Sequence, residues 1–128
     1  LPDDPQILLN TRGSRCMVRA SNVLYFTAME KKVVCCTEKD GELSFYGSLG
    51  TLEKRYREFF LRCHSGFLVN RRRIDGFIKS KMCLHLRGCE LEIPVSKSRC
   101  REVETYVECL SNEMIVDNPE NELIISRV

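Results

Sequence analysis

Short stretches of alternating apolar and polar residues, broken by turn signals, run through most of the chain and predict strands rather than long helices. Residues 7–12 and 16–19 flank Gly13-Ser14 and read as a hairpin. Residues 23–28 and 32–37 follow, joined through Met29-Glu30-Lys31, and 42–46 resumes after the turn Lys39-Asp40-Gly41. Three further short strands are expected over 59–63, 67–70 and 74–78. The sharpest local expectation is a hairpin of 82–86 with 89–93 about Arg87-Gly88. A two-residue loop sets Leu86 against Cys89, Leu84 against Leu91 and Met82 against Ile93, all apolar. Cys83, His85, Glu90 and Glu92 then share the other face, with His85 a surface partner of Glu90.

Two segments break this pattern with helical spacing. Residues 49–57 place Leu49, Leu52 and Tyr56 on one face, with Ser48 as N-cap. Gly50 costs that helix roughly 1 kcal/mol against Ala, so it is expected to be short and held by packing. Residues 99–110 carry one stripe of Cys100, Val103, Val107 and Leu110. Residues 122–128 read either as an edge strand or as a packed tail. The expectation is a mainly β domain with two short helices far apart in sequence.

Length and composition fit that reading. A chain of 128 residues makes one domain with a core of its own, and 43% hydrophobic with 30% charged residues argues against wholesale disorder. No apolar run exceeds four residues, far short of the ~20 that a membrane-spanning helix needs, and no signal peptide is evident. The opening Leu1-Pro2-Asp3-Asp4-Pro5 reads as an inter-domain linker. The expected organisation is a linker remnant over 1–6, a domain over 7–110 and an acidic C-terminal extension over 111–128.

The net charge of +2 conceals an uneven distribution. Residues 1–53 are net −1 and residues 102–128 net −6, whereas 54–101, with thirteen basic and four acidic side chains, are net +9. Such a segment is the electrostatic footprint of a surface that meets a polyanion, or else a solvated surface balanced in space by the acidic tail. The run Arg71-Arg72-Arg73 is open to the same two readings, a solvated turn or phosphate steering.

The eight cysteines include no C-x-x-C pair, which removes the usual zinc half-sites and the thioredoxin-type motif. Most sit in apolar patterns and read as reduced, cytoplasmic thiols acting as small hydrophobes. Cys35 and Cys36, adjacent on a strand, point to opposite faces. No phosphate loop, nucleophile elbow or H-E-x-x-H motif occurs. Cys63 and His64 are adjacent and so diverge on a strand, which leaves no nucleophile–base pair. Catalysis, a metal site and a cofactor are therefore not expected. The helices lie too far apart for a helix-turn-helix. An OB-like barrel and a module reading DNA with its loops remain open.

The segment Phe60-Leu61-Arg62-Cys63-His64-Ser65-Gly66-Phe67-Leu68-Val69-Asn70, followed by Ile74, resembles the signature of the LytTR family of DNA-binding domains, F-x-R-x-H-x-S-[FY]-x-V-N-x-x-x-I. Ile93-Pro94-Val95-Ser96-Lys97-Ser98 resembles that family's second block, I-P-V-S-[RK]-S. Val23-Leu24-Tyr25-Phe26 and Phe45-Tyr46-Gly47-Ser48-Leu49 also fit. The resemblance implies elongated antiparallel β-sheets with two short helices. It further implies a cytoplasmic bacterial transcription regulator, the output domain of a two-component response regulator with a receiver domain upstream. Its partner would be promoter duplex DNA read by loops in the major groove, with a dimer on direct repeats.

Carried onto this chain, the resemblance marks three DNA-binding loops. They contain Lys31 and Lys32; Arg62, His64 and Ser65; and Ser96, Lys97, Ser98 and Arg99. Lys and Arg attract phosphate and reach guanine edges, and Ser96 and Ser98 at a helix start can donate to phosphate. Ser65-Gly66 departs from the family's pattern, where a longer polar or basic residue followed by Ser is usual, which implies a second loop approaching the DNA backbone rather than reading a base. His64 is open to a bracing role within that loop. Cys63 is a candidate redox thiol. The alternatives to duplex recognition are an OB-like single-strand binder, stacking bases on aromatics, and a cysteine-based sensor or protein-interaction domain.

Overall fold

The computed structural model describes residues 3–110 and the backbone of 123–125. The remainder of the acidic extension lies outside the described residues. Strands dominate. β1 (Gln6–Thr11) and β2 (Ser14–Arg19) form a two-stranded hairpin, with Gly13 at φ 83 in its turn, a conformation glycine adopts without a Cβ clash. A five-stranded antiparallel sheet joins β3 (Val23–Met29), β4 (Lys32–Thr37), β5 (Glu42–Phe45), β6 (Phe60–His64) and β7 (Phe67–Asn70) in the order β5-β4-β3-β7-β6. A four-stranded sheet orders β8 (Ile74–Ile78), β9 (Cys83–Leu86), β10 (Ile93–Pro94) and β11 (Leu123–Ile125) as β10-β9-β8-β11. Helix α1 (Leu49–Arg55) precedes β6 and helix α2 (Lys97–Leu110) follows β10. Three antiparallel sheets and two helices give the mainly β fold expected. Among the described residues there is no OB-like barrel, because strands β5 and β6 end the central sheet instead of pairing with each other.

The central sheet separates two cores. On one side Val23, Phe26, Val33, Cys35, Phe60 and Leu68 pack against Ile7, Leu9 and Val18 of the hairpin and Leu49 and Leu52 of α1. Phe26 meets Phe60 edge-on at 5.1 Å between centroids. On the other side Leu24, Tyr25, Val34, Cys36, Leu61, Cys63 and Val69 pack against Ile74, Phe77, Leu84, Leu86 and Ile93, with Val103 and Val107 of α2. Cys35 and Cys36 thus enter opposite cores, as their adjacency on a strand requires. Leu24 is skipped in the β3–β4 register, and this bulge lets neighbouring Leu24 and Tyr25 serve the same core.

Both helices fall close to their expected positions. Ser48 caps α1, its side chain accepting from the Thr51 N–H at 3.1 Å. The hairpin about Arg87-Gly88 differs. The Cys89 N–H does return to the Leu86 carbonyl, at 3.1 Å, but Leu84 pairs with Ile93 and Cys83 with Pro94, not Leu84 with Leu91. Met82, at φ 50, is left-handed and lies outside β9, while residues 90–92 lie outside β10. A slip of two residues keeps every side chain on its face, so the apolar alternation fits both registers. Burial separates them, since Ile93 is fully buried and Leu91 is half exposed. His85 therefore pairs not with Glu90 but with Asp75, at 2.6 Å, where a β8 bulge skips Asp75 in the ladder.

The far end of the central sheet is tied by polar groups. Asn70, 4% exposed, donates from its amide to the Ala20 and Val23 carbonyls (3.1 and 2.8 Å) and accepts from the Arg72 N–H. The arginine run is bound up in this end. Arg71 stacks on Tyr106 and Arg72 on Phe59; Arg73 pairs with Glu38 at 2.6 Å and donates to the Ser21 carbonyl. Arg87 donates to the Arg72 carbonyl. Ahead of β1, Asp4 accepts from the Ser21 N–H and hydroxyl, which hold its carboxyl below the usual range, and the Pro5 carbonyl accepts from the Ala20 N–H.

Candidate nucleic-acid interface

The three loops singled out in the sequence meet at the opposite end. Thr27 pairs with Phe67, so the β3–β4 turn and the β6–β7 turn leave the sheet side by side. They are cross-linked, the Gly66 carbonyl accepting from the Ala28 N–H (3.1 Å) and the Thr27 hydroxyl (2.8 Å). In the first turn Glu30 takes φ 56, Lys31 and Lys32 are exposed, and Lys32 lies 5.5 Å over the Tyr46 ring.

The second turn is built around Arg62 and His64. A bulge skips Cys63 in the β6–β7 ladder, and Cys63 turns its side chain wholly into the core. Arg62 spends its guanidinium inside the protein, donating to the carbonyls of His64 (3.0 Å) and Ser65 (2.6 Å) and pairing with Glu53 at 3.1 Å. His64 Nδ1 accepts from the Gly66 N–H at 3.0 Å, which leaves the ring proton on Nε2, and the ring packs edge-on against Phe67. His64 thus braces the turn. Gly66 has only His64 Nδ1 near the place of a Cβ, at 3.6 Å. Ser65 is exposed at the tip.

The third loop is fastened to the second through the bulge. The carbonyl of Cys63 accepts from the Ser96 N–H at 3.0 Å. Ser96 and Ser98 lie hydroxyl to hydroxyl at 3.2 Å across the start of α2, where the helix presents the positive end of its dipole. Helix α2 begins at Lys97, two residues earlier than expected, so Lys97, Ser98 and Arg99 stand in its first turn rather than in a loop, with Lys97 and Ser98 exposed. Arg99 lies 3.9 Å from Glu53 and 3.5 Å from Glu102. All nine candidate DNA-binding residues therefore belong to one end of the molecule.

Glu53 was not visible as part of this set in the sequence. An acidic residue on a short helix reads as solvated surface, and its two arginine partners come from β6 and α2.

Cys63 shows no sign of a reactive thiol. It is fully buried, its Sγ donates to the Pro94 carbonyl at 3.5 Å, and burial pushes the thiol up to about 12. All eight cysteines are free, and among the described residues no cluster of His, Cys, Asp and Glu has a metal-binding arrangement. Among the described residues no helix is long and apolar enough to cross a membrane.

Two turns of the central sheet and the first turn of α2 thus come together at one end of the molecule and carry exposed cations there. The model of the LytTr DNA-binding domain matches residues 13–108, and the chain belongs to that family. This is a family of DNA-binding domains, not of enzymes. Among solved structures, the chain is similar to the LytTr DNA-binding domain of a putative methyl-accepting/DNA response regulator from Bacillus cereus. The two are 25% identical with a TM-score of 0.66, over 79% of this chain and 94% of that one. No curated protein matches the chain.

Proposed function

We propose that this domain is a transcription regulator that binds duplex DNA sequence-specifically by inserting its three loops into the major groove. Lys31, Lys97 and Arg99 contact phosphates and set the register. Ser96 and Ser98, with the first amides of α2, accept a further phosphate, and the tip at Ser65 approaches the backbone. Arg62 and His64 act from behind, holding the shape of the second turn. The observation that carries this reading is the convergence of turns from distant parts of the chain, cross-linked at one end of the central sheet. The Bacillus cereus relative is described as part of a putative response regulator, which supports an output role here; the proposal further places a receiver domain upstream and a dimer on direct repeats. The domain carries no catalytic function, and its site of action is the cytoplasm.

The test is selection of tight-binding sequences from a random duplex library, followed by anisotropy titration of wild type, Lys97→Ala and Arg99→Ala on the selected duplex. Each substitution weakens binding by roughly 1 kcal/mol or more, as expected for loss of a charge-assisted hydrogen bond. The three phosphates neutralised by Lys31, Lys97 and Arg99 give a slope of about −3 in log affinity against log salt. Unchanged affinity in both variants, or preferential competition by single strands, overturns the reading.

A further inference from the structure

Glu53 is the only residue of α1 that reaches two of the proposed DNA-facing loops among the described ion pairs. Its carboxylate holds Arg62 at 3.1 Å and stands 3.9 Å from Arg99. The two arginines are placed differently. Arg62 is 17% exposed at its side chain, and each terminal nitrogen and Nε has a protein acceptor: Glu53, the Ser65 carbonyl and the His64 carbonyl. Arg99, at 36% exposed, is shared between Glu53 and Glu102, and among the described residues its guanidinium has no carbonyl partner. One carboxylate therefore locks the cation that shapes the second turn and loosely detains the cation that faces solvent.

A negative charge at this position repels every phosphate that approaches, whatever the sequence. A duplex that binds only through its charge stays hydrated and loosely seated, and it gains too little to draw Arg99 from Glu53 and Glu102. A duplex whose grooves fit the loops brings a phosphate or base edge to Arg99 at contact distance, where a charge-assisted hydrogen bond replaces the one given up. Specificity is a difference between two affinities, and a repulsive element that weakens the unwanted complex raises it.

We propose that Glu53 is a positioning residue that fixes the second turn through Arg62 and, by competing with DNA for Arg99, makes the domain discriminate between duplexes. The inference rests on the reading of these loops as the DNA interface. Its substance is that removing an acidic side chain strengthens binding to DNA in general while reducing selectivity.

The experiment uses the full chain with two probes, a duplex of random sequence and the duplex selected from the library. Glu53→Gln keeps the size and removes the charge. It should bind the random duplex about fivefold more tightly near physiological salt, with a salt slope steeper by about 0.9, the signature of one further phosphate contact. The ratio of selected to random affinity should fall about tenfold, within the range of one lost discriminating contact. Glu53→Asp keeps the charge on a shorter arm. It should hold random-duplex affinity within about twofold of wild type, because the phosphate repulsion that governs non-specific binding persists, yet lose affinity for the selected duplex as Arg62 loosens. Thermal midpoints report folding, and if Glu53→Gln unfolds, Glu53→Asp decides alone. A folded Glu53→Gln with random-duplex affinity unchanged or weakened overturns the proposal, as does Glu53→Asp with a wild-type ratio. If Lys97→Ala weakens binding while both Glu53 variants match wild type, only the role of Glu53 fails. If Lys97→Ala and Arg99→Ala both match wild type, the interface itself is misplaced.

Discussion

Asn70 shows how much one polar side chain holds in a domain of this size. It is almost fully buried, and its amide serves two carbonyls at the entry to β3 while its oxygen serves the backbone after β7. Replacement by Ala leaves those carbonyls and the Arg72 amide without their partner. Asn70→Ala should cost about 2–4 kcal/mol, above the usual single hydrogen bond because buried groups stay unsatisfied. Urea unfolding followed by far-UV circular dichroism measures it. The buried thiols make a second residue-level prediction. Burial raises Cys35 and Cys63 from 9.0 to about 12. Once unfolded, both ionise near 9, so above that pH the native state binds more protons than the unfolded one. Stability is therefore undiminished by these groups below pH 9 and falls as pH rises from there towards 12. Urea midpoints compared at about pH 8 and pH 10 should reveal a loss on the order of 2 kcal/mol, and no loss would mean that the thiols ionise in place.

Helix α1 is the element on which sequence and structure agree most closely, and it still carries a local flaw. Its cap, its apolar spacing and its short length all follow from residues 48–56. Gly50 lies within it, and a Cβ placed there meets nothing within 4 Å. Gly50→Ala should therefore stabilise the domain by about 0.4–1 kcal/mol through reduced freedom of the unfolded chain. A higher thermal midpoint with unaltered DNA affinity is the expected result. The β9–β10 pair is the contrasting element. Its alternation is just as regular, yet a two-residue slip is invisible to a period of two, and only the burial of Ile93 by α2 and its neighbours decides the register. Elements specified by near neighbours were legible in the sequence. Those specified by a surface elsewhere in the fold were not, and Glu53 belongs with the second kind.

At the scale of the whole molecule, the basic middle of the chain divides into two populations. Lys97 and Arg99 lie at the loop end, whereas Arg71, Arg72, Arg73 and Arg87 are engaged at the other end by rings, carbonyls and Glu38. Linear charge density of net +9 thus overstates the area offered to a polyanion, because part of it is structural. The motif blocks converge on one end of the fold, whereas the basic residues as a whole do not. A count along the chain does not distinguish a cation that clamps a turn, such as Arg62, from one that is exposed, such as Lys97.

The central sheet has a mechanical consequence for how the domain comes apart. Neighbouring residues of β4 and β7, Val33 and Val34 or Leu68 and Val69, are sealed into opposite cores. The two cores have separate outer walls but share the inner one, the backbone of the central sheet. Loss of either removes one lining of the shared strands, so the two should melt as one cooperative unit rather than as independent foldons. Tyrosine signals from Tyr56 in one core and Tyr25 in the other should share a single denaturation midpoint. Amide exchange should slow to the same global limit in β3 and β7, and two separated midpoints would show that the shared sheet insulates the two cores from each other.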